Sequence, residues 1–233
     1  MKAVILAGGA GTRLRSVVSD VPKPMADING RPFLECLIEQ LKRWNIKDIV
    51  LLVGYKAGCI VDYFGDGKKF GVNIFYSEEI EPLGTGGALK QAENFLTEDY
   101  FIMMNGDSYF DINFHKLITM ITEKKYFGIL SLFKIKNSER YGSVIIDEDS
   151  RVLRFLEKQK SVDDSYVNVN GGIYALSSKI LEYIPPRKCS LENDIFPEII
   201  KNEEIYSFIS DGFFIDIGIP EDYFRLKNTK DLF

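Results

Sequence analysis

The sequence is short of the residues on which several kinds of chemistry depend. It contains one histidine, His115, in a segment that predicts the exposed start of a helix, so a histidine-assisted nucleophilic mechanism has little basis. The three cysteines, Cys36, Cys59 and Cys189, are widely spaced and show no C-x-x-C pattern. An odd number of scattered thiols predicts buried free cysteines rather than disulfides or a zinc site.

Long apolar runs and an excess of positive charge are also missing. The longest apolar runs, such as residues 100–104 and 127–133, have the length of a strand and are too short to span a membrane. A net charge of −5 argues against a nucleic-acid partner, which normally requires a basic face. Because the first residues enter a predicted strand and not a signal peptide, we expect a cytoplasmic protein without a membrane partner.

Strand and helix patterns alternate in the first half of the chain, and strands predominate beyond residue 126. This order predicts an α/β fold, a Rossmann-like three-layer α/β/α sandwich with a predominantly parallel, partly mixed sheet. No linker-like stretch divides the sequence, so we expect one domain over residues 1–233. Strands are predicted at residues 2–7, 48–53, 72–77, 100–104, 127–135, 141–147, 152–157, 167–176 and 213–216. Helices are predicted at residues 32–44, 59–64, 83–96, 179–183 and 191–201 and from residue 220.

A glycine-rich segment follows the first predicted strand. Glycines at positions 8, 9 and 11 allow backbone amides to approach phosphate oxygens, and Arg13 and Lys23 add a forked and a mobile cation. The segment is not a dinucleotide fingerprint, because Leu14 replaces the third glycine, and it is not a P-loop. It predicts a cradle for a nucleoside triphosphate, the alternative being a plain strand-to-helix turn with a surface arginine. The predicted nucleotide-binding residues of this segment are Leu6, Ala7, Gly8, Gly9, Gly11, Thr12 and Arg13.

Two aspartates predict a metal site near that loop. Asp107 follows the buried run at residues 100–104, and Asp216 lies in an apolar strand just before a turn. Buried carboxylates are costly unless they are paired or metal-bound. Two carboxylates together with phosphate oxygens suit octahedral Mg²⁺ better than zinc. The alternative for each aspartate is a capping role at a turn or helix.

Further polar residues are candidates for contacts with a second, phosphorylated ligand. Glu157 and Lys158 end a predicted strand, and the lysine could reach a phosphate, although a solvated charge pair is the commoner explanation. Asn170, beside two glycines within a strand, indicates close approach to a polar ligand, or else a β-bulge. Glu192 and Asp194 could face sugar hydroxyls, or could simply favour a helix N-terminus.

The segment after the third predicted strand is a candidate for the base. Guanine offers two adjacent donors, so a carboxylate at Glu78 or Glu79 could favour it over uracil or thymine, although both residues are as well explained as solvated loop residues. A second glycine stretch, residues 83–89, follows, and in open α/β sheets ligands bind at this carboxyl edge of the strands.

Together these segments resemble the sugar-1-phosphate nucleotidylyltransferase family over nearly the whole chain. The matching motifs are GGAGTRL at residues 8–14, Pro22-Lys23-Pro24 and Asn105-Gly106-Asp107. Glu157-Lys158 is similar to the family's sugar-phosphate lysine motif, except that Gln159 stands where proline is usual.

The resemblance implies a role for each matching residue. It implies catalytic roles for Arg13, Lys23 and Lys158 and Mg²⁺ ligation by Asp107 and Asp216. The nucleotide-binding residues that we predict beyond the first loop are Glu79, Gly84, Asn105 and Asp107. The predicted sugar-binding residues are Gly142, Glu157, Asn170, Gly171, Glu192 and Asp194.

Within the family, residues 82–89 and the short length resemble the branch that acts on GTP and D-glycero-α-D-manno-heptose 1-phosphate. This implies that a sugar 1-phosphate oxygen attacks the α-phosphorus, giving a nucleoside diphosphate sugar for cell-surface polysaccharide, such as capsule, and pyrophosphate. Mannose-1-phosphate guanylyltransferases and N-acetylmuramate-1-phosphate uridylyltransferases share parts of the pattern and stay open as alternatives. A non-catalytic regulatory subunit that binds nucleotide or sugar phosphate is a further alternative, and a homodimer is a hypothesis only.

Overall fold

The computed structural model describes residues 1–136, 142–156 and 166–229. The strands are β1 (Ala3–Leu6), β2 (Asp27–Ile28), β3 (Arg31–Pro32), β4 (Asp48–Val53), β5 (Asn73–Glu78), β6 (Tyr100–Asn105), β7 (Ser108–Phe110), β8 (Gly128–Lys136), β9 (Ser143–Ile146), β10 (Val152–Leu156), β11 (Tyr166–Ser177), β12 (Ile205–Ile209) and β13 (Phe214–Asp216). The helices are α1 (Phe33–Arg43), α2 (Ala57–Phe64), α3 (Gly84–Gln91), α4 (Phe114–Lys124), α5 (Ile180–Tyr183), α6 (Phe196–Ile199) and α7 (Pro220–Asn228).

Among the described residues, the main sheet has nine strands of mixed direction. β5, β4, β1 and β6 lie side by side and parallel, with β1 hydrogen-bonded to both β4 and β6. The long strand β11 runs antiparallel to β6, and its other edge pairs with β8, beyond which lies β12. β9 and β10 form an antiparallel pair that joins the first half of β11. The predicted switch from parallel to mixed pairing therefore occurs at β11.

Alternate residues of the central parallel strands enter two separate cores. In β1, Ala3 and Ile5 belong to a core that includes buried residues of α1, α2, α4 and α7, whereas Val4 belongs to a second core with residues of α3, α5 and α6. This is what a strand covered on both faces requires, because successive side chains point to opposite sides. The predicted three-layer α/β/α sandwich is confirmed.

Two ribbons outside the main sheet help to position the site. β7 pairs antiparallel with β13, which sets Ser108 opposite Asp216. β2 pairs with β3, and α7 holds this hairpin: the Tyr223 hydroxyl donates to the Asp27 carbonyl at 2.8 Å, and Lys227 Nζ lies 3.0 Å from Asp27 Oδ2. The segment after Asp216 is thus bonded to the segment that follows the lysine motif.

The predicted elements differ from the observed ones in a few places. The two- and three-residue strands β2, β3 and β7 were not predicted, because so few residues carry no periodicity; β12 was also not predicted. The helix predicted at residues 191–201 is a π-helical turn, Leu191–Ile195, followed by one turn of α6. Pro197 lies at this junction, and its missing N–H prevents a continuous α-helix.

The cysteines form no disulfide, and Cys36 and Cys189 are buried, as predicted; Cys59, also predicted to be buried, is only half-buried. His115 is exposed in the first turn of α4, which agrees with the prediction of an exposed helix start. Within the described residues, no helix combines the length and the apolar character needed to cross a membrane.

Candidate active site

A cleft lies at the carboxyl ends of the parallel strands, where Leu6 of β1, Leu52 of β4 and Asn105 of β6 line it. Its volume is about 880 Å³. Both glycine segments reach it, so that residues more than 180 positions apart in the chain meet around one space. The predicted site residues in its wall are Leu6, Gly8, Gly9, Gly11, Arg13, Lys23, Glu79, Gly84, Asn105, Asp107, Asn170 and Glu192.

Other predicted residues do not line this cleft. Ala7 is fully buried, and its amide donates to the Leu52 carbonyl at 2.8 Å, so that it fastens the loop to the sheet. Glu157 and Lys158 lie outside the described residues. The remaining predicted residues that the cleft wall leaves out are Thr12, Gly142, Gly171, Asp194 and Asp216.

Gly171 and Asp194 lie outside the cleft wall and contact neighbouring parts of the protein instead. Gly171 lies where the register of β11 against β8 shifts, and any side chain there would run into the ring of Phe110. Asp194 is exposed, and its carboxylate accepts a hydrogen bond from the Ser190 amide at 2.7 Å. Both residues therefore have local roles in the backbone of the site.

Lys23 and Asp107 form a close ion pair in the cleft. Lys23 Nζ lies 2.5 Å from Asp107 Oδ2, and only 11% of the lysine side chain is exposed. A short 3₁₀ turn, Lys23–Met25, presents the lysine directly after Pro22. The Ser108 hydroxyl donates to the other carboxylate oxygen at 3.1 Å. The ion pair thus joins the lysine motif to the aspartate motif.

Asp216 stands next to this pair. The amide of Ile217 donates to the Asp107 carbonyl at 2.9 Å, and the amide of Gly218 donates to Asp216 Oδ1 at 2.6 Å. Burial raises the pKa of the Asp216 carboxyl, and the negative charge of Asp107 raises it further, whereas Lys23, the Gly218 amide and Arg13 act in the opposite direction. A Cβ atom on Gly218 would lie 2.8 Å from Asp216 Oδ1 and 3.4 Å from Arg13 Nη2, which places the arginine beside this carboxylate.

Asp107 and Asp216 are neighbouring carboxylates, and burial together with the charge of Asp107 raises the pKa of Asp216. A divalent cation would stabilise the ionised form of such a pair. Carboxylate oxygens are the preferred protein ligands of hard cations such as Mg²⁺. Arg13 and Lys23 offset the two aspartates, so the four groups are close to neutral as a set. Phosphates entering the cleft would need further positive charge. A divalent cation could supply it, and Asp107 and Asp216 are the residues that could bind that cation.

Glu79 lies between the two glycine segments. Its Oε2 accepts a hydrogen bond from the Leu83 amide at 2.9 Å. Its Oε1 is so close to the chain at Gly8 and Gly54 that a Cβ atom on either would lie within 2.8 Å of it. One carboxylate oxygen thus holds the second glycine segment, while the side chain lines the cleft. Glu78, the other candidate for the base, is exposed and does not line the cleft.

A hydrogen-bonded network forms the opposite wall. Asn170 Nδ2 donates to the Tyr174 hydroxyl at 2.8 Å, and Tyr174 donates to Glu192 Oε1 at 3.3 Å. Burial raises the pKa of Tyr174 well above its ordinary value, and the Glu192 charge acts in the same direction. The tyrosine therefore stays protonated and fixes both side chains. Thr85 closes the network by donating to Glu192 Oε2 at 2.7 Å.

Tyr174 and Thr85 line the cleft but were not predicted as site residues. Tyr174 is completely buried in β11 and has the appearance of an ordinary core aromatic residue in the sequence. Thr85 lies among the three glycines of the second glycine segment, Gly84, Gly86 and Gly87. The available signal was that each residue carries a hydroxyl group and lies in a glycine-containing segment that we had singled out as a candidate for ligand binding.

The arrangement suits transfer between two phosphorylated ligands. One wall offers glycine amides, Arg13 and Lys23 for a triphosphate, and the other offers an amide and a carboxylate, Asn170 and Glu192, for hydroxyl groups. When the attacking group is itself a phosphate, the reaction needs no protein base, because that phosphate is already ionised at neutral pH. Catalysis then consists of positioning and charge compensation.

Comparisons with known proteins agree with this geometry. The sequence pattern of the family described as "Nucleotidyl transferase" matches residues 2–231. D-glycero-α-D-manno-heptose 1-phosphate guanylyltransferase of Campylobacter jejuni is 43% identical over 226 residues, which are 97% of this chain and 98% of that one. Mannose-1-phosphate guanyltransferase of Schizosaccharomyces pombe is 35% identical over 228 residues, 96% of this chain and 62% of that longer one.

A solved structure shows the same fold. The crystal structure of HddC from Yersinia pseudotuberculosis complexed with GMP-PN superposes with a TM-score of 0.85 at 39% identity, covering 97% of each chain. The agreement of sequence pattern, near full-length relatives and fold confirms the resemblance inferred from the motifs. The chain belongs to the nucleotidyl transferase family, as a sugar-1-phosphate nucleotidylyltransferase.

Proposed function

We propose that the protein transfers GMP from GTP to D-glycero-α-D-manno-heptose 1-phosphate, releasing pyrophosphate. The observation that carries the proposal is that Arg13, Lys23 and Asp107, with Asp216 beside them, meet at a cleft that Asn170 and Glu192 also line. The choice of sugar and base is supported by the near full-length relative that is a heptose 1-phosphate guanylyltransferase. Mannose 1-phosphate is the alternative acceptor, because the longer mannose-1-phosphate guanyltransferase also matches this chain.

The proposed reaction is an in-line attack of a sugar phosphate oxygen on the α-phosphorus of GTP. The new P–O bond forms as the bond from the α-phosphorus to the bridging oxygen breaks, and the electron pair leaves with pyrophosphate. Lys23 lies beside Asp107 and would neutralise the α-phosphate, while Arg13, exposed at the cleft mouth, would hold the departing pyrophosphate. No proton has to be removed by the protein.

Asp107 and Asp216 are the proposed ligands of a magnesium ion. When bound, a divalent cation supplies positive charge to the phosphate oxygens. The protein's part is to hold the two carboxylates in register, through the β7–β13 pairing and the Ile217 amide. Lys158, with Glu157 and Gly142, is proposed to complete the site at the sugar phosphate; this rests on the resemblance of the motif alone.

Glu79 is proposed to read the base. Its Oε2 accepts from the Leu83 amide, so Oε1, beside Gly8 and Gly54, is the proposed acceptor for the adjacent N–H groups of guanine. Glu79→Gln would replace one acceptor by a donor, so we expect the ratio of kcat/KM for GTP to that for UTP to fall at least tenfold. An unchanged ratio would remove Glu79 from base selection. Glu78→Gln is the matched control, because Glu78 is exposed and outside the cleft.

The central test is loss of turnover when a charge at the site is removed. Arg13→Ala and Asp107→Ala should each lower kcat at least a hundredfold without changing the thermal midpoint by more than a few degrees. Asp111→Ala and His115→Ala change exposed residues nearby and should leave turnover unchanged. Near-normal turnover in either site variant would refute the assignment.

A matrix of nucleoside triphosphates and sugar 1-phosphates, followed by pyrophosphate release, would fix the substrates. We expect GTP with the heptose phosphate to give the highest kcat/KM. Release with mannose 1-phosphate alone would favour the alternative acceptor. No release with any pair would favour a regulatory subunit that only binds these ligands. The cytoplasm is the proposed compartment, because free thiols persist in reducing surroundings.

A further inference from the structure

The second glycine segment is bonded to a distant part of the chain, residues 187–192. The Cys189 carbonyl accepts hydrogen bonds from the amides of Gly86 and Gly87, at 3.0 and 3.4 Å, and the Cys189 amide donates to the Leu83 carbonyl at 2.9 Å. These bonds join the start of α3 to the segment that carries Glu192. The two walls of the cleft are therefore one hydrogen-bonded unit at this point.

Glycine is required here for packing between segments. Gly84 has φ +73°, and a Cβ atom on it would lie 2.5 Å from the Cys189 carbonyl oxygen. On Gly86 it would lie 2.8 Å from Cys189 Sγ, and on Gly87 it would lie 2.7 Å from the Arg187 carbonyl. Such distances leave no room for a methyl group. The glycines thus allow the nucleotide side of the cleft to touch the sugar side.

Thr85 makes the side-chain link across this contact. Its hydroxyl donates to Glu192 Oε2 at 2.7 Å and accepts from the Leu191 amide at 2.8 Å. Ser190 also donates to Glu192 Oε2, at 2.9 Å, but it lies only two residues away on the same turn. Both hydroxyl groups donate to Glu192, but Thr85 lies in α3 and Ser190 lies beside the turn itself. Of the two, only Thr85 therefore connects α3 to the turn.

We infer that Thr85 is a positioning residue that couples binding of the nucleoside triphosphate to binding of the sugar 1-phosphate, an inference that rests on the proposed function. A nucleotide that contacts Glu79 and Gly84 orders the start of α3, and through Thr85 it orders the Glu192 carboxylate. The second ligand then meets a carboxylate that is already in place, so it loses less conformational freedom on binding.

The coupling can be measured by calorimetric titration with the sugar phosphate in the presence and absence of saturating α,β-methylene-GTP and Mg²⁺. In this analogue a P–C bond replaces the bond that would break, so the ternary complex does not react. We expect the nucleotide to lower the Kd of the heptose phosphate about tenfold in the wild type. Linkage requires the sugar phosphate to lower the Kd of the nucleotide by the same factor.

Thr85→Val keeps the shape of the side chain and removes both hydrogen bonds, so the coupling factor should fall to within about twofold of one. Thr85→Ser keeps the hydroxyl and should retain the wild-type factor. It also serves as the test should the valine variant fail to fold. Ser190→Ala is the matched control, because it removes a hydroxyl from the same Glu192 oxygen without breaking the link, and its factor should stay near that of the wild type.

The outcomes separate the two hypotheses. Pyrophosphate release by the wild type with a coupling factor of one would overturn the coupling and leave the proposed function standing. An unchanged factor in Thr85→Val, a lost factor in Thr85→Ser, or an equal loss in Ser190→Ala would each overturn the assignment to Thr85. Absence of pyrophosphate release by the wild type would refute the function instead.

Discussion

Charged side chains in the cleft are bonded to other residues of the protein. Lys23 is paired with Asp107, and Asp216 accepts a hydrogen bond from the Gly218 amide. Such preorganisation means that little reorganisation is needed when phosphates enter. It also means that deleting one member leaves its partner without compensation in a half-buried place, so single substitutions here should act on turnover more than their exposure suggests.

The three cysteines should differ in their reactivity toward an alkylating reagent. Burial raises the pKa of the Cys36 thiol to about 11, so that at pH 8 about one thiol in a thousand is ionised. Burial also raises the pKa of Cys189, whereas Cys59 is half-buried in α2. Iodoacetamide at pH 8 should therefore modify Cys59 first, as read by peptide mass spectrometry, and Cys36 should react only after unfolding in urea. Equal labelling of Cys36 and Cys59 in the folded protein would contradict this.

Two glycine-to-alanine changes should have opposite effects on stability. A Cβ atom on Gly106 would overlap the Leu6 carbonyl oxygen, a backbone atom that cannot move aside, whereas nothing lies within 4 Å of a Cβ on Gly58 in α2. Gly106→Ala should lower the free energy of unfolding by more than about 2 kcal/mol, and Gly58→Ala should raise it by about 0.5 kcal/mol. Urea denaturation measures both. A neutral Gly106→Ala would show that β1 and the loop after β6 are less rigidly packed than the distances indicate.

Among the elements, those with a clear apolar pattern could be predicted, whereas the pairing of short strands could not. The strand at residues 48–53 was predicted with its observed bounds, because six apolar-rich residues between polar segments leave little choice. β7 and β13 have three residues each, and their pairing joins positions more than a hundred residues apart. No local pattern encodes such a contact, so the register of Asp107 against Asp216 had to come from the structure.

The residues that line the cleft were also predicted only in part, because some of them act through contacts between distant segments. Residue types with a fixed chemical meaning, such as Arg13, Lys23 and Asp107, were found, since charge among glycines and apolar strands is unusual. Thr85 and Tyr174 act through tertiary hydrogen bonds, and nothing in the local sequence distinguishes them from turn and core residues. The glycines at 84, 86 and 87 were assigned to the ligand edge, but their contacts with residues 187–189 depend on the approach of a segment a hundred residues away.

The β7–β13 ribbon depends on helix α1 through one buried side chain. Gln40 is 1% exposed, and its Nε2 donates to the Phe110 carbonyl at 2.6 Å. Gln40→Leu removes this buried bond and should lower the free energy of unfolding by about 1–3 kcal/mol. Glu39→Gln, a change in a surface pair of the same helix, should cost less than about 0.5 kcal/mol. Urea denaturation compares the two, and equal costs would argue that the ribbon does not rely on Gln40.

For the molecule as a whole, the charge balance opposes the ligands that the cleft is proposed to take. The chain carries a net charge of −5, yet both proposed substrates are anions. Attraction must therefore be short-ranged and come from Arg13, Lys23 and the proposed cation. Distant surface charges are screened within about 10 Å at 0.1 M salt, so their repulsion is weak under ordinary conditions.

Binding in the central cleft should stabilise the entire fold, because the cleft draws residues from β1, β4, β6 and β11. A nucleotide analogue at a hundred times its Kd contributes about 2.7 kcal/mol, which for a chain of this size raises the thermal midpoint by about 5–10 °C. We expect α,β-methylene-GTP with Mg²⁺ to give this shift in a melting experiment and EDTA to remove most of it. A shift that is unaffected by EDTA would argue against metal-assisted binding, and no shift would argue against the nucleotide.

The contact of Tyr223 and Lys227 with Asp27 joins an early segment of the chain to a late one, and it has a consequence for how the protein is made. At about 5–20 residues per second, a ribosome needs roughly 10–40 s to pass from Lys23 to Asp216. Within that interval β1 can pair with β4 once both have been made, but the ribbon that aligns Asp107 and Asp216 still lacks β13. A nascent chain therefore lacks the aligned pair of Asp107 and Asp216 until β13 has been synthesised.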